Sequence, residues 1–198
     1  MKLNEIDHWV FDMDGTLTVA VHDFVAIKRA LDIPLEADIL GHLAALPEAE
    51  SRAKHAWLLE HERDLAVAST AATGAVALVR ELAARGARLG VLTRNARELA
   101  YVTLEAIGIA DCFAEQDVLG REDAEPKPQP DGLLALAKAW QVAPQRMVMV
   151  GDYKHDLACG RAAGARTILV NLPDNPWPEL TDWHANDCAT LQRMLQTA

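Results

Sequence analysis

Four places in the chain carry side chains that could do chemistry together. They are Asp12-Met13-Asp14-Gly15-Thr16, Thr93-Arg94-Asn95, Lys127 within Glu125-Pro126-Lys127-Pro128, and Gly151-Asp152 followed by Asp156. Asp12, Asp14, Asp152 and Asp156 gathered at one place would repel, and some would take up protons unless a cation joined them. A hard divalent ion meets that need: Mg²⁺ prefers oxygen donors, takes few protein carboxylates and keeps room for water and phosphate oxygens. No His/Cys cluster competes in favour of Zn²⁺. The chemistry that fits is phosphoryl transfer. One carboxylate attacks phosphorus in line while the ion screens two negative groups from each other. A second carboxyl protonates the departing alkoxide and then deprotonates the attacking water. Thr93 and the N–H groups after it can donate to a phosphoryl oxygen, and Lys127 brings a positive charge to the same oxygens and to Asp12. Arg94 and Asn95 adjoin that position as further candidates for phosphate contact, and an ordinary N-terminal helix turn explains them nearly as well.

These residues act together only if the fold gathers them. Three of the groups follow a short apolar run, residues 8–11 before Asp12, 88–92 before Thr93 and 147–150 before Gly151, and Lys127 lies between the last two in a Pro-rich stretch. Such runs, punctuated by Gly and by helical stretches, read as buried strands of a parallel sheet with helices on both faces. Further strands are expected at 167–170 and, more briefly, at 117–119. Helices are expected at 75–85, 96–107, 155–163 and 188–195, with another running from Pro130 to Trp140. In open α/β sheets ligands bind outside the carboxyl ends of the strands, where all four groups fall. Between the first strand and the rest, residues 18–72 show helical spacing and no strand signal. That block reads as an inserted all-helical cap, with the core formed by 1–17 and 73–198. Leu17 to Ala20 and Ala71 to Gly74 are its linkers, whose motion would open and close the site.

The remaining features bound the function. The chain has 198 residues, 51% of them hydrophobic and 24% charged, as globular proteins do. Its net charge of −10 disfavours nucleic acid and anionic membrane as partners. No run of about 18 apolar residues suggests a membrane span, and no signal-peptide pattern opens the chain. Cys112, Cys159 and Cys188 form no CxxC pair and read as reduced, mostly buried thiols in a cytoplasmic protein. Trp9, Trp57 and Trp140 read as core or domain-contact residues. His22, Asp23, Arg52 and His55 read as solvated positions of the cap, and His155 as a surface residue at least as readily as a donor to the site.

The motif set resembles the haloacid dehalogenase-like (HAD) superfamily, in particular its Mg²⁺-dependent phosphatases. D-x-D-G-T is Asp12, Asp14, Gly15 and Thr16. The apolar strand ending in Ser/Thr is Val91-Leu92-Thr93, the Lys before Pro is Lys127-Pro128, and G-D-x-x-x-D is Gly151, Asp152 and Asp156. The resemblance implies Asp12 as nucleophile and metal ligand, and Asp14 as general acid/base that offers its backbone carbonyl to the metal. It implies Thr93 and Lys127 as phosphate-holding residues, Asp152 as a direct Mg²⁺ ligand and Asp156 as an outer ligand or orienting group. The substrate would be a small phosphorylated metabolite. The branch it is most similar to is phosphoglycolate phosphatase-like and β-phosphoglucomutase-like, so a phosphomutase is the alternative activity. A 2-haloacid dehalogenase or a non-catalytic binding protein on the same fold are more distant ones. Two departures bear on the substrate: Thr18-Val19-Ala20 stands where such phosphatases commonly continue x-D-S after D-G-T-L, and the insertion is short.

Overall fold

The computed structural model describes residues 2–21 and 23–197. The chain begins with β1 (His8–Phe11), and three helices follow before the next strand: α1 (Phe24–Ala30), α2 (Ile39–Ala44) and α3 (Glu48–Val67). Then come α4 (Ala75–Ala84), β2 (Arg88–Leu92), α5 (Arg97–Ala106), β3 (Val118–Leu119) and α6 (Asp131–Trp140). The last third holds β4 (Met147–Gly151), α7 (Lys154–Ala163), β5 (Arg166–Val170), β6 (Trp183–Ala185) and α8 (Cys188–Thr197).

All strand pairs are parallel, in the order β3-β2-β1-β4-β5-β6. The central strands are apolar on both faces because helices cover both. Trp9 and Phe11 point into a cluster built with Leu78 and Leu82 of α4, Leu104 of α5 and Leu191 of α8. Val10 points the other way, toward Leu133 and Leu136 of α6 and Cys159 of α7. From β1 the chain winds outward to β2 and β3, then returns to lay β4 on the opposite side of β1. That reversal opens a crevice at the carboxyl ends of β1 and β4, the place where such sheets take ligands. The Asp12 N–H donates to the Val150 carbonyl at 2.9 Å, which ties the residue after β1 to the end of β4.

The helices α1, α2 and α3 form their own small core from Ile27, Leu31, Ile33, Leu43 and Leu58. Asp23 and Asp38 cap α1 and α2 by accepting the Ala26 and Gly41 N–H groups, each at 2.9 Å. The two connecting segments run side by side: Val19 N–H donates to Thr70 O at 3.0 Å and Ala72 N–H to Leu17 O at 2.9 Å. Ala66 of α3 packs on Ala96 and Leu99 at the start of α5, which holds the block against the sheet side of the molecule.

Two expectations change. Trp57 is not a core residue; it is 41% exposed, with its ring stacked on His61 at 5.2 Å. The buried row of α3 is Leu58, Glu62 and Ala66 at spacing four, which turns Trp57 outward. The edge strand β6 was not foreseen: it has three residues and bonds to β5 alone. Trp9 and Trp140 are buried, as are Cys159 and Cys188, while Cys112 is half-buried; all three thiols are unpaired. Burial pushes Cys159 and Cys188 up to about 12, so both stay protonated and inert near neutral pH.

Candidate active site

Side-chain oxygens of Asp12, Asp152 and Asp156 all lie within 4.8 Å of one another at the β1/β4 crevice. Two glycines make the approach possible. Gly15 has φ +85, and a Cβ there would stand 2.4 Å from Asp152 Oδ2. A Cβ on Gly151 would meet the Asp156 side chain at 2.2 Å. The Thr16 hydroxyl lies 3.0 Å from Asp152 Oδ1 and 3.3 Å from Asp12 Oδ2, and so braces both carboxylates. Asp156 also receives the Tyr153 N–H at 3.1 Å, so it serves the start of α7 and the cluster at once.

Lys127 enters this cluster fully buried, with Nζ 2.5 Å from Asp12 Oδ1 and 2.7 Å from Asp156 Oδ1. Burial alone would lower its pKa, but the adjoining Asp12 and Asp156 charges outweigh that and raise it. One ammonium does not balance three carboxylates. Burial, reinforced by the Asp12 and Asp156 charges, pushes Asp152 up to about 7. Burial, opposed by Lys127 and reinforced by Asp12, pushes Asp156 up to about 6. The surplus is negative and the donors are all carboxylate oxygens, the set a hard divalent cation takes. The residues present therefore fit Mg²⁺, with Asp12, Asp152 and Asp156 placed to hold it.

Thr93 is buried at the end of β2, with its N–H on Leu119 O at 3.0 Å. Its hydroxyl accepts the Asn95 N–H at 3.0 Å, which leaves the hydroxyl proton to give to a ligand. Asn95 turns its Oδ1 to the Ala96 N–H at 2.8 Å and so also sets the start of α5. Arg94 reaches across to the helical insertion, where Nη2 meets Asp38 Oδ1 at 2.5 Å. Asp12, Asp14, Thr93, Arg94, Asn95, Lys127, Asp152 and Asp156 all line one cavity of about 540 Å³. Every sequence-derived site residue thus faces the same space.

The cavity has a second wall that sequence reasoning missed. Phe24, Ile39, Leu40 and Leu58 face it from the helical insertion, and Arg121 and Tyr153 from loops beside the sheet. Arg121 is doubly bonded to Glu62 of α3 at 2.9 and 3.1 Å. His155, read as an equally plausible surface residue, is half-buried and lines the cavity; burial together with Arg94 and Lys127 holds its pKa below the usual value. Asp23 is occupied as the α1 cap, Arg52 is exposed beside Glu48, and His55 Nδ1 sits 2.8 Å from Ser51 O. His22 lies outside the described residues. Asn171, at the end of β5 with φ +62, was also missed. Its Nδ2 donates to Gly15 O at 2.7 Å and Thr16 O at 2.9 Å, clamping the turn that carries Asp12 and Asp14. A polar residue directly after the apolar run 167–170 was the available signal.

Comparison with known proteins adds four findings. A family model described as haloacid dehalogenase-like hydrolase matches residues 6–164. A haloacid dehalogenase-like hydrolase domain-containing protein of Arabidopsis thaliana is 30% identical, over 95% of this chain and 83% of its own length. A phosphoglycolate phosphatase of Rhodospirillum rubrum is 32% identical over 82% of this chain and 78% of its own. Among solved structures, a hydrolase from Pseudomonas syringae superposes with a TM-score of 0.79 at 22% identity, over 96% of this chain and 98% of that one, which shows the shared fold.

Proposed function

The chain belongs to the haloacid dehalogenase-like hydrolases, and from that premise we propose that it is a Mg²⁺-dependent phosphatase that hydrolyses a small phosphomonoester through a phospho-Asp12 intermediate. The phosphoglycolate phosphatase among its relatives supports the reaction class. The observation that carries the mechanism is the packing of Asp12, Asp152 and Asp156 within 4.8 Å around one lysine.

In this reading Asp12, Asp152 and Asp156 hold the ion, with the Asp14 backbone carbonyl as a further donor. When bound, Mg²⁺ supplies the positive charge that lets an anionic carboxylate approach an anionic phosphoryl group. A carboxylate oxygen of Asp12 forms a bond to phosphorus as the bond from phosphorus to the ester oxygen breaks. Asp14, half-buried on the cavity wall, gives its proton to the departing alkoxide. Water then attacks phosphorus, Asp14 takes back a proton, and the acyl-phosphate bond to Asp12 breaks to release inorganic phosphate. Lys127 neutralises oxygens of the phosphoryl group and pairs with Asp12, and the Thr93 hydroxyl donates to a third oxygen. Arg94 and Asn95 border the same group. The segment 18–72 acts as the cap over a core of 1–17 and 73–198, a division the paired linkers at Leu17–Ala72 and Val19–Thr70 support. Among the described residues no helix is long and apolar enough to cross a membrane, and the unpaired cysteines favour a reducing cytoplasm.

Asp12→Asn tests this directly. Phosphate release should fall by about 10⁴-fold or more while the circular dichroism spectrum is unchanged. A variant with wild-type kcat overturns the assignment. Product analysis separates the alternative: an isomerised sugar phosphate without free phosphate identifies a mutase.

A further inference from the structure

The segment 171–182, which joins β5 to β6, reaches both turns that carry the acidic cluster. At its start Asn171 holds the Gly15 and Thr16 carbonyls of the turn after β1. At its end it is fastened to α7: Asp182 pairs with Arg161 at 3.0 Å, and the Leu180 carbonyl accepts Arg161 Nε at 3.2 Å. Between these anchors stands Trp177, half-buried and outside the lining of the cavity. Pro176 and Pro178 flank it and restrict the backbone on both sides. Its N–H donates to Asn175 Oδ1 at 2.9 Å, and its carbonyl accepts the Thr181 hydroxyl at 2.8 Å.

Trp177 meets the second turn through Tyr153. Tyr153 follows Asp152 directly and precedes α7. Its N–H donates to Asp156 Oδ2 at 3.1 Å, and its carbonyl accepts the Asp156 N–H at 3.1 Å. The backbone of Tyr153 thus fixes where Asp156 stands. Its ring is 54% exposed, so the core of the sheet does not hold it. Edge-on contacts do, with ring centroids 5.1 Å away at His155 and 5.4 Å away at Trp177. His155 belongs to the same turn and moves with it. Trp177 comes from a different part of the chain, on a backbone tied to α7.

Resting on the phosphatase reading, we propose that Trp177 is a positioning residue for the metal ligands: through Tyr153 it holds the turn 152–156 so that Asp152 and Asp156 meet Asp12 at the spacing a divalent ion needs. Three carboxylates that repel one another spread apart unless the backbone under them is held. Ligands already set in place bind an ion with less ordering left to do. An aromatic pair of this kind shifts an equilibrium by up to about tenfold, which sets the size of the expected effect.

The test titrates Mg²⁺ calorimetrically into metal-free full-length protein and follows phosphate release in parallel. Trp177→Ala should weaken Mg²⁺ binding about fivefold to tenfold and raise the Mg²⁺ concentration needed for half-maximal activity by the same factor. The ester KM at saturating Mg²⁺ should stay within about twofold of wild type, because Trp177 does not line the cavity. Trp177→Phe keeps a ring edge and should restore most of the affinity; Trp177→Leu keeps apolar bulk without a ring and should not. The Phe and Leu variants decide the matter even where the Ala variant folds poorly. Tyr153→Ala should weaken Mg²⁺ binding by a similar factor, and the double variant should be little worse than either single one. Wild-type Mg²⁺ affinity in both Trp177→Ala and Trp177→Leu, with or without a loss of Tm, overturns the proposal and leaves the phosphatase reading standing. Full additivity of the two single changes overturns the route through Tyr153. A wild-type protein that binds no Mg²⁺ and releases no phosphate overturns the phosphatase reading and this proposal with it.

Discussion

Two buried acidic clusters stand at opposite ends of the same sheet, and they are built on opposite principles. At the amino end of β2, Asp117 is 1% exposed and receives Arg88 Nε at 3.0 Å and the Trp140 indole N–H at 2.8 Å. The Arg88 guanidinium also lies 5.6 Å above the Trp140 ring. One carboxylate meets one cation and one neutral donor, and the charges balance. At the carboxyl ends of β1 and β4, three carboxylates share one lysine beside an open cavity. The first arrangement is complete without a ligand and serves the fold. The second is repulsive as it stands and gains stability only when a cation joins it. Balance marks structure, and surplus at a cavity marks a site.

The largest expected effect comes from breaking both clusters in the same way. Asp152→Asn should lower phosphate release about 10³-fold, because an ion ligand is lost. In metal-free protein at about pH 8 the same change should raise Tm, because it removes a repelling charge. Asp117→Asn should do the reverse: activity stays near wild type, and stability falls by about 1–3 kcal/mol as Arg88 loses its partner, less than a fully buried pair would lose because Arg88 is partly exposed. Thermal melts and phosphate assays on the two variants decide it. A Tm loss for Asp152→Asn in metal-free protein would contradict the contrast.

A pH series on metal-free protein sharpens the same point. The folded value for Asp152 of about 7 lies above its ordinary 3.8, raised by burial and by Asp12 and Asp156. Between those values the folded chain holds a proton that the unfolded chain has released. Stability contributed by this group is therefore present below pH 3.8 and is lost as pH rises to about 7. Mg²⁺ should cancel that loss, so the Tm gain from added Mg²⁺ should grow with pH over this window. A gain that is constant with pH would argue that the carboxylates are already relieved by protein groups. A smaller effect is expected from Asn171→Ala, which unclamps the Gly15 and Thr16 carbonyls: kcat should fall about tenfold with Tm little changed.

How much of this could be read from the chain follows from the range of the interactions. The strand ends were legible because each apolar run stops abruptly at a polar residue, and a parallel sheet brings such stops to one rim. Asp12, Thr93 and Asp152 were found for that reason, and Lys127 by its place before Pro128 in the motif set. Asn171 also follows an apolar run, but a single Asn after a strand is ordinary turn chemistry, and its positive φ and its clamp on Gly15 appear only in three dimensions. The pairing of Arg121 with Glu62 joins residues 59 apart and depends on how α3 docks on α5, which no local pattern encodes. Phe24 fitted the apolar spacing of its helix, as a core residue would, and instead faces the cavity. Strand β6 is too short and polar for a period to emerge; β5 defines it by pairing with it.

The central claim is that the surplus of carboxylates at β1 and β4 exists to hold a divalent ion. Calorimetric titration of Mg²⁺ into metal-free wild-type and Asp152→Asn protein measures it without reference to any substrate. The account predicts saturable binding of a single ion by the wild type and loss of that binding in the variant. Equal affinity in both proteins, or no binding to either, would contradict it.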